Sequence, residues 1–528
     1  MDKLKRVFKK EYLLVIFFAF VILSFLILEP IEDLDELWNY NTARCIADGL
    51  IPYKDISMIT TPLLPMINAV FLKILGNEVL VMRILAGILG ALILFLTFNI
   101  LKKLFKETNI SLICTFLLYL LYQDFFCIDY NFFVLFLVLC ILNLEIKYTN
   151  KIYSGKFKGR KILVNLNKNQ KTNLIIGILA GLCICTKQSI GVLVAFITAI
   201  YPIVWIRNKK DIKLAISSIV IRVLGIIIPG VIFLIYLIAT GALNDFIGYA
   251  IKGISHFDNS ILYKTLFESE KLPISIISKA LPLMFIICLG FSIFSKKNKN
   301  EYRNLLLLNM YSIPMLILMY PISDEIHFLI AIYLFLVTFL YLIFGIFAKW
   351  IYNKINLRKK KKIYKILTLL IFIFIFADVT SKAVTNYYDY YKLDKNNVIK
   401  HYNGISIHDY LVQRINGIDE FITNQNSNGK RVYILDAEAA VYNIPLNIYN
   451  KDYDMFLKGN IGENGQEGLI GKVKKQSEDK NNLFLVRQIQ YSQNWQTPLK
   501  VLEYVRNNLE KIDEVEFYDV YVGKWYKI

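Results

Sequence analysis

A chain of 528 residues that is 56% hydrophobic, with a mean hydropathy of +0.46, is excluded as a soluble enzyme or a disordered chain. Soluble domains are about 45–50% apolar, and their apolar runs rarely pass a dozen residues, whereas here runs of roughly 17–25 recur from position 12 to about 382. The formal net charge of +19 is not a nucleic-acid signature either, because in a polytopic membrane protein Lys and Arg report topology first.

Lys3, Lys5, Arg6, Lys9 and Lys10 precede the first apolar run, 12–28. Leu28-Glu29-Pro30 offers no small-x-small cleavage site, so the run reads as a retained helix with a cytoplasmic N-terminus. The outward loop that follows, 29–78, opens with five acids beside the membrane: Glu29, Glu32, Asp33, Asp35 and Glu36. Asp35 is placed to cap a helix over 36–48 that stops at Gly49, and Thr61-Pro62 starts a second helix ending before Gly76. Leu37, Trp38, Leu63, Leu64, Ile67 and Phe71 make both helices amphipathic enough to lie on the bilayer face.

Further spans are expected at 79–101, 110–122, 131–146, 173–187, 189–206, 214–240, 274–295, 304–321, 326–348 and 364–382. The run 173–206 is too long for one crossing of about 20 residues and is split at Thr186-Lys187-Gln188-Ser189. About eleven spans result. The segments placed inside hold about 32 Lys and Arg, against about 7 in the outward loops before the tail, and about 6 acids. An odd count leaves residues after about 385 outside. The positive charge is therefore topological, and the rest of the chain is mildly acidic.

The division is a transmembrane module, 1–384, and an extracytoplasmic domain, 385–528. In the latter, 431–436, 483–487 and 515–522 read as strands and 499–509 as a helix, giving a small α/β domain. Gly459, Gly462, Gly465, Gly468 and Gly471 recur at threes without a preceding strand, which suits a mobile loop better than a phosphate loop. The seven cysteines form no disulfide framework or metal pair, and no internal repeat is visible.

Two outward carboxylates stand out. Asp35 can act as a general base toward a lipid-borne substrate, or simply cap its helix. Asp129, in Asp129-Tyr130-Asn131, has the same two readings, and together the two acids can hold a divalent cation or orient an acceptor hydroxyl. Arg83, Lys187 and His327, the last beside Asp324 and Glu325, lie at matching depth and suit a lipid phosphate, although basic residues near span ends also snorkel to head groups. Arg222 lies deeper in its span and reads as a packing or snorkelling residue.

The stretch Asp35-Glu36…Ala43…Gly49…Pro52-Tyr53-Lys54-Asp55…Thr61-Pro62-Leu63 resembles the start of the family 39 and related glycosyltransferases of the GT-C superfamily. That group includes the protein O-mannosyltransferases and the aminoarabinose transferase of lipid A. Arg83-Ile84-Leu85-Ala86-Gly87, Asp129-Tyr130-Asn131, Gly177…Gly181…Thr186-Lys187-Gln188 and Tyr320-Pro321…Asp324…His327 are similar to the family's pattern in order and sidedness. The resemblance covers about 1–380. The tail more loosely resembles those of relatives from low-GC Gram-positive bacteria.

The resemblance implies an α-helical polytopic membrane protein of the GT-C fold that moves a monosaccharide from a polyprenyl-phosphate donor, with inversion, outside the cell membrane. Asp35 would then deprotonate or orient the acceptor hydroxyl, assisted by Glu36 and Asp129. Lys187, His327 and Arg83 would stabilise the leaving phosphate, and Tyr53, Gln188 and Asp324 would contact substrate. Acceptors in keeping with it are a surface polysaccharide, a teichoic acid, a lipid-linked glycan or a protein. Some relatives bind a divalent metal near the first-loop acid, and the sequence leaves that open. The competing readings are a flippase for polyprenyl-linked glycans and a non-catalytic assembly protein.

Overall fold

The computed structural model describes residues 10–27, 29–31, 34–153, 162–206, 209–257, 260–294, 299–347, 357–392, 399–491 and 497–524. Lys3, Lys5, Arg6, Lys9, Glu32 and Asp33, and parts of the basic segments expected inside, lie outside these residues.

Every expected span is helical: Lys10–Leu26, Val79–Phe105, Thr108–Tyr122, Tyr130–Tyr153, Ile162–Thr186, Gln188–Ile200, Lys209–Thr240, Leu272–Phe294, Lys299–Met315, Glu325–Leu340 and Leu357–Lys392. Among the described residues, seven helices are long and apolar enough to cross a membrane. Thr108–Tyr122, with 15 residues, rises only about 22 Å, short of a hydrocarbon core of about 30 Å. Among the described residues, eleven helices therefore occupy the expected spans, and seven of them are full apolar spans.

The chain divides into two compact units. The first, a helical bundle, comprises Met1–Leu26, Ala86–Phe233 and Ser260–Val384; the second comprises Ile27–Leu85, Leu234–Asn259 and Thr385–Ile528. The first loop thus belongs to the same unit as the tail from Thr385 onward.

In the bundle, Ile162–Thr186 and Lys209–Thr240 touch backbone to backbone. A Cβ on Gly177 would lie 2.2 Å from the Arg222 carbonyl oxygen, and one on Gly225 would lie 2.6 Å from that of Leu174. Any side chain there would force the helices apart, the reason small residues mark helix contacts in membranes. Lys187 alone breaks the run between Thr186 and Gln188, with an extended backbone at φ −149° and ψ 107°. Of the two roles expected for Arg222 the structure shows packing, not snorkelling, because the side chain is fully buried between helices. Its guanidinium lies 2.5 Å (NH1) from Glu145 Oε1, donates to Glu145 Oε2 (3.0 Å), Asn173 Oδ1 (2.9 Å) and the Thr198 carbonyl (2.8 Å), and sits 5.1 Å from the Trp205 ring centre.

In the second unit the first loop forms helices Leu34–Ala47 and Leu63–Leu75. Gly49 and Gly76, at φ +98° and +117°, follow them in conformations that a side chain would strain. Asp35 lies within the first turn, not at the cap. The tail holds a four-stranded sheet, β1 (Arg431–Ile434), β2 (Asn482–Arg487), β3 (Leu509–Val515) and β4 (Tyr518–Gly523), in the order β1-β2-β4-β3. β1 and β2 are parallel; β4 runs antiparallel to both its neighbours. The segment expected as one strand over 515–522 turns at Glu516, φ +53°, so its N-terminal end belongs to β3. Helix Leu499–Asn508 packs Val501 and Val505 into a core with Leu435, Val473 and Phe484.

The glycine string is not a mobile loop. Gly465–Ser477 is a helix, and the preceding glycines make room for neighbours. A Cβ on Gly459 would lie 2.6 Å from Phe257, one on Gly462 3.2 Å from Tyr249, and one on Gly465 2.9 Å from His256.

Candidate functional site

Three helices of the bundle begin at residues singled out in the sequence. Tyr130–Tyr153 follows Asp129, Gln188–Ile200 follows Lys187, and Glu325–Leu340 follows Asp324. Asp129 Oδ1 accepts from the Asn131 backbone N–H at 2.6 Å, and Asp324 Oδ1 from that of His327 at 2.7 Å, so both carboxylates satisfy helix-start donors. Lys187 Nζ donates to Asn131 Oδ1 (2.8 Å) and lies 4.8 Å from the Tyr130 ring centre. His327 Nδ1 pairs with Asp324 Oδ2 at 2.8 Å. Burial raises the Asp129 carboxyl above the ordinary carboxylate range, while the charges of Lys187 and His327 act in the opposite direction. The structure therefore brings Asp129, Lys187, His327 and Asp324 into one cluster, with Gln188 next to Lys187 in the chain. Each helix start contributes roughly half a positive charge; Asp129 and Asp324 meet two of them, while the start after Lys187 carries no side-chain cap and together with Lys187 is suited to an anion.

The first-loop residues form a separate arrangement in the second unit. Arg83 grips Glu36 with two donors, Nε to Oε1 at 2.7 Å and NH2 to Oε2 at 2.9 Å. It also bonds the carbonyls of Glu29 and Pro30. A planar fork matched to a carboxylate is a strong pairing. Arg83, expected on a lipid phosphate, thus holds Glu36. Asp35 is half-buried beside it in the same first turn. Tyr53 is fully buried at φ +68°; its hydroxyl donates to the Thr60 carbonyl at 2.7 Å, and its ring meets Phe246 edge-on. This geometry braces the loop and does not present Tyr53 to a ligand. Among the described residues, no group of three or more His, Cys, Asp or Glu is placed to hold a metal ion.

Two contributors escaped the sequence reading. Asn131 holds Lys187, and only its place two residues after Asp129 hints at this. Arg44, fully buried in Leu34–Ala47, carries no local signal at all.

No protein-family model matches the chain, and no curated protein matches it by sequence. Solved structures do. ArnT from Cupriavidus metallidurans is similar in the apo state at TM-score 0.54 and bound to undecaprenyl phosphate at 0.51, with 11% identity and 97% of each chain covered in both comparisons. The oligosaccharyltransferase AglB from Archaeoglobus fulgidus, in complex with an inhibitory peptide and a dolichol-phosphate, is similar at TM-score 0.50 and 12% identity. The match covers 83% of this chain and 64% of that one. Further structures of the archaeal oligosaccharyltransferase match over 60–63% of their length. At such identities the likeness establishes the fold. The chain has the GT-C fold that the sequence resemblance implied, with a small C-terminal sheet.

Proposed function

We propose that the chain is a glycosyltransferase that moves a monosaccharide from a polyprenyl-phosphate donor to an acceptor hydroxyl at the outer face of the cell membrane. The observation that carries this is the cluster of Asp129, Lys187 and His327 where three helices begin. It occurs on a fold shared over 97% of both chains with a protein crystallised bound to undecaprenyl phosphate.

In this mechanism Asp35 takes the proton of the acceptor hydroxyl as its oxygen bonds to the anomeric carbon. The bond from that carbon to the phosphate oxygen breaks on the opposite side, with inversion, and polyprenyl phosphate leaves as an anion. Lys187 and His327 balance its charge, worth several kcal/mol when donors are held ready in a water-poor site. Glu36, fixed by Arg83, orients the acceptor, and Asp129 keeps Lys187 and His327 in place. Asp324 acts through His327, and Gln188 contacts the sugar. Transfer that persists in EDTA would assign the chemistry to the side chains alone.

The charge asymmetry of the loops supports a cytoplasmic N-terminus and an extracellular tail. The acceptor belongs to the surface classes: polysaccharide, teichoic acid, lipid-linked glycan or protein. The test uses purified protein in proteoliposomes with labelled polyprenyl-phosphate sugar and an envelope extract as acceptor source. Label leaving the lipid with stoichiometric release of polyprenyl phosphate supports the proposal. Intact labelled lipid crossing the bilayer would establish a flippase instead.

A further inference from the structure

The tail's role follows from how it holds the helix that carries Asp35 and Glu36. We infer that the C-terminal domain is a clamp for the first loop, with Arg44 as a positioning residue whose socket is built by the tail. The inference rests on the proposed reaction only for its catalytic consequence.

Arg44 has no exposed surface. Its NH1 donates to the Ile444 carbonyl (3.2 Å) and to Asn447 Oδ1 (3.2 Å), and its NH2 donates to Asn41 Oδ1 (2.7 Å) and to the Ile448 carbonyl (3.2 Å). The guanidinium also lies 4.5 Å from the centre of the Tyr449 ring. A buried guanidinium is tolerated only where such acceptors await it, and a planar fork fixes rotation as well as distance. The tail residues it uses, 444–449, end helix Ala439–Leu446 and follow it, with Asn447 left-handed at φ +54° so that its carbonyl neighbours turn toward the arginine.

The grip extends along the whole loop. Trp38 Nε1 donates to the Ala437 carbonyl at 3.0 Å, and Asn41 Nδ2 to Asp454 Oδ2 at 3.3 Å. Where the loop begins, Ile31 N donates to the Ser406 carbonyl (3.0 Å); where it ends, Val79 N donates to that of His401 (3.0 Å). His401 spans from the Asn77 carbonyl to Asn447 Oδ1, at 2.6 and 2.8 Å, tying the loop's end to the Arg44 socket. Asp35, Glu36, Trp38, Asn41 and Arg44 share one 14-residue helix, so its roll and height are set from the tail side. The C-terminal end of β1, where sheets of this kind commonly receive a ligand, leads here into the segment that seats the loop.

The experiment compares wild type with Asn447→Ala, Arg44→Met and the double variant, all full-length, by two readouts. The first is amide hydrogen exchange over 34–47; the second is the dependence of sugar transfer on donor concentration. The clamp predicts faster exchange in that helix and a fall in kcat of about 10- to 100-fold, as misplacement near an ångström produces. The donor KM should stay within about twofold and the double variant should resemble the worse single one. Lys511→Met, which breaks an exposed pairing on β3, should change neither readout. Should Arg44→Met fail to fold, Asn447→Ala still decides, since it leaves the guanidinium three of its four acceptors. Unchanged exchange and kcat in folded Asn447→Ala would overturn the inference, as would a loss of donor affinity in step with rate. If wild type transfers no sugar, the proposed function falls while the exchange result still judges the clamp.

Discussion

Two clusters of opposite charges in the bundle differ in closure. Arg222 and Glu145 have side chains with 0% exposure each, and the guanidinium makes further bonds to Asn173 and Thr198. In the cluster of Asp129, Lys187, Asp324 and His327, the Asp324 and His327 side chains keep 36% and 13% of their surface, and three helix starts add their partial charges. A charge pair sealed inside low dielectric, with its donors matched to acceptors, holds helices together. A cluster that keeps surface and gathers helix starts has a reason to meet a ligand.

The largest effect should come from breaking the sealed pair. Arg222→Met strands a buried carboxylate and should cost about 3–5 kcal/mol, whereas Arg222→Met with Glu145→Met should recover most of the loss. Thermal unfolding in detergent reads both, and a stable single variant would break the contrast. Lys187→Met should do the reverse, lowering transfer about 100-fold while leaving the unfolding midpoint near that of wild type.

Asp129→Asn sharpens the comparison with a smaller effect of opposite sign. Because burial holds the Asp129 carboxyl above its unfolded value, the native state binds more protons than the unfolded one, and stability falls as pH rises through that window. At neutral pH the carboxylate therefore costs stability. The amide keeps an oxygen for the Asn131 N–H but no charge, so the variant should melt higher than wild type while transferring more slowly. A lower midpoint would mean that the carboxylate is structural, like Glu145.

The smallest effect concerns the tail. Burial pushes the Asp419 carboxyl up to about 7, so stability should decline as pH rises from about 4 toward 7. Asp419→Asn should flatten that decline in melting curves taken across the range. An unchanged slope would remove Asp419 as its source.

What the sequence made legible follows from range. Helix positions, the stops at Gly49 and Gly76, and the common sidedness of Asp129, Lys187 and His327 come from local pattern and loop charge. The partners of Arg83 and Arg222 do not, because Glu36 and Glu145 are 47 and 77 residues away in the chain. β3 was hidden because an edge strand with exposed Glu510, Lys511, Asp513 and Glu514 carries no buried alternation. The glycines at 459, 462 and 465 looked like flexibility because the rings they accommodate, on 249–257, belong to another part of the chain. Arg44 looked like one more charge on an amphipathic helix until its acceptors, some 400 residues later, were in view.

The central claim, a lipid-phosphate sugar transferase whose first-loop acid does the chemistry, meets its most direct test in Asp35→Asn. The variant keeps the size of the side chain and removes its basicity. In proteoliposomes with labelled polyprenyl-phosphate sugar, it should bind the donor as wild type does and transfer sugar slower by about 100-fold or more. Transfer at the wild-type rate would contradict the account.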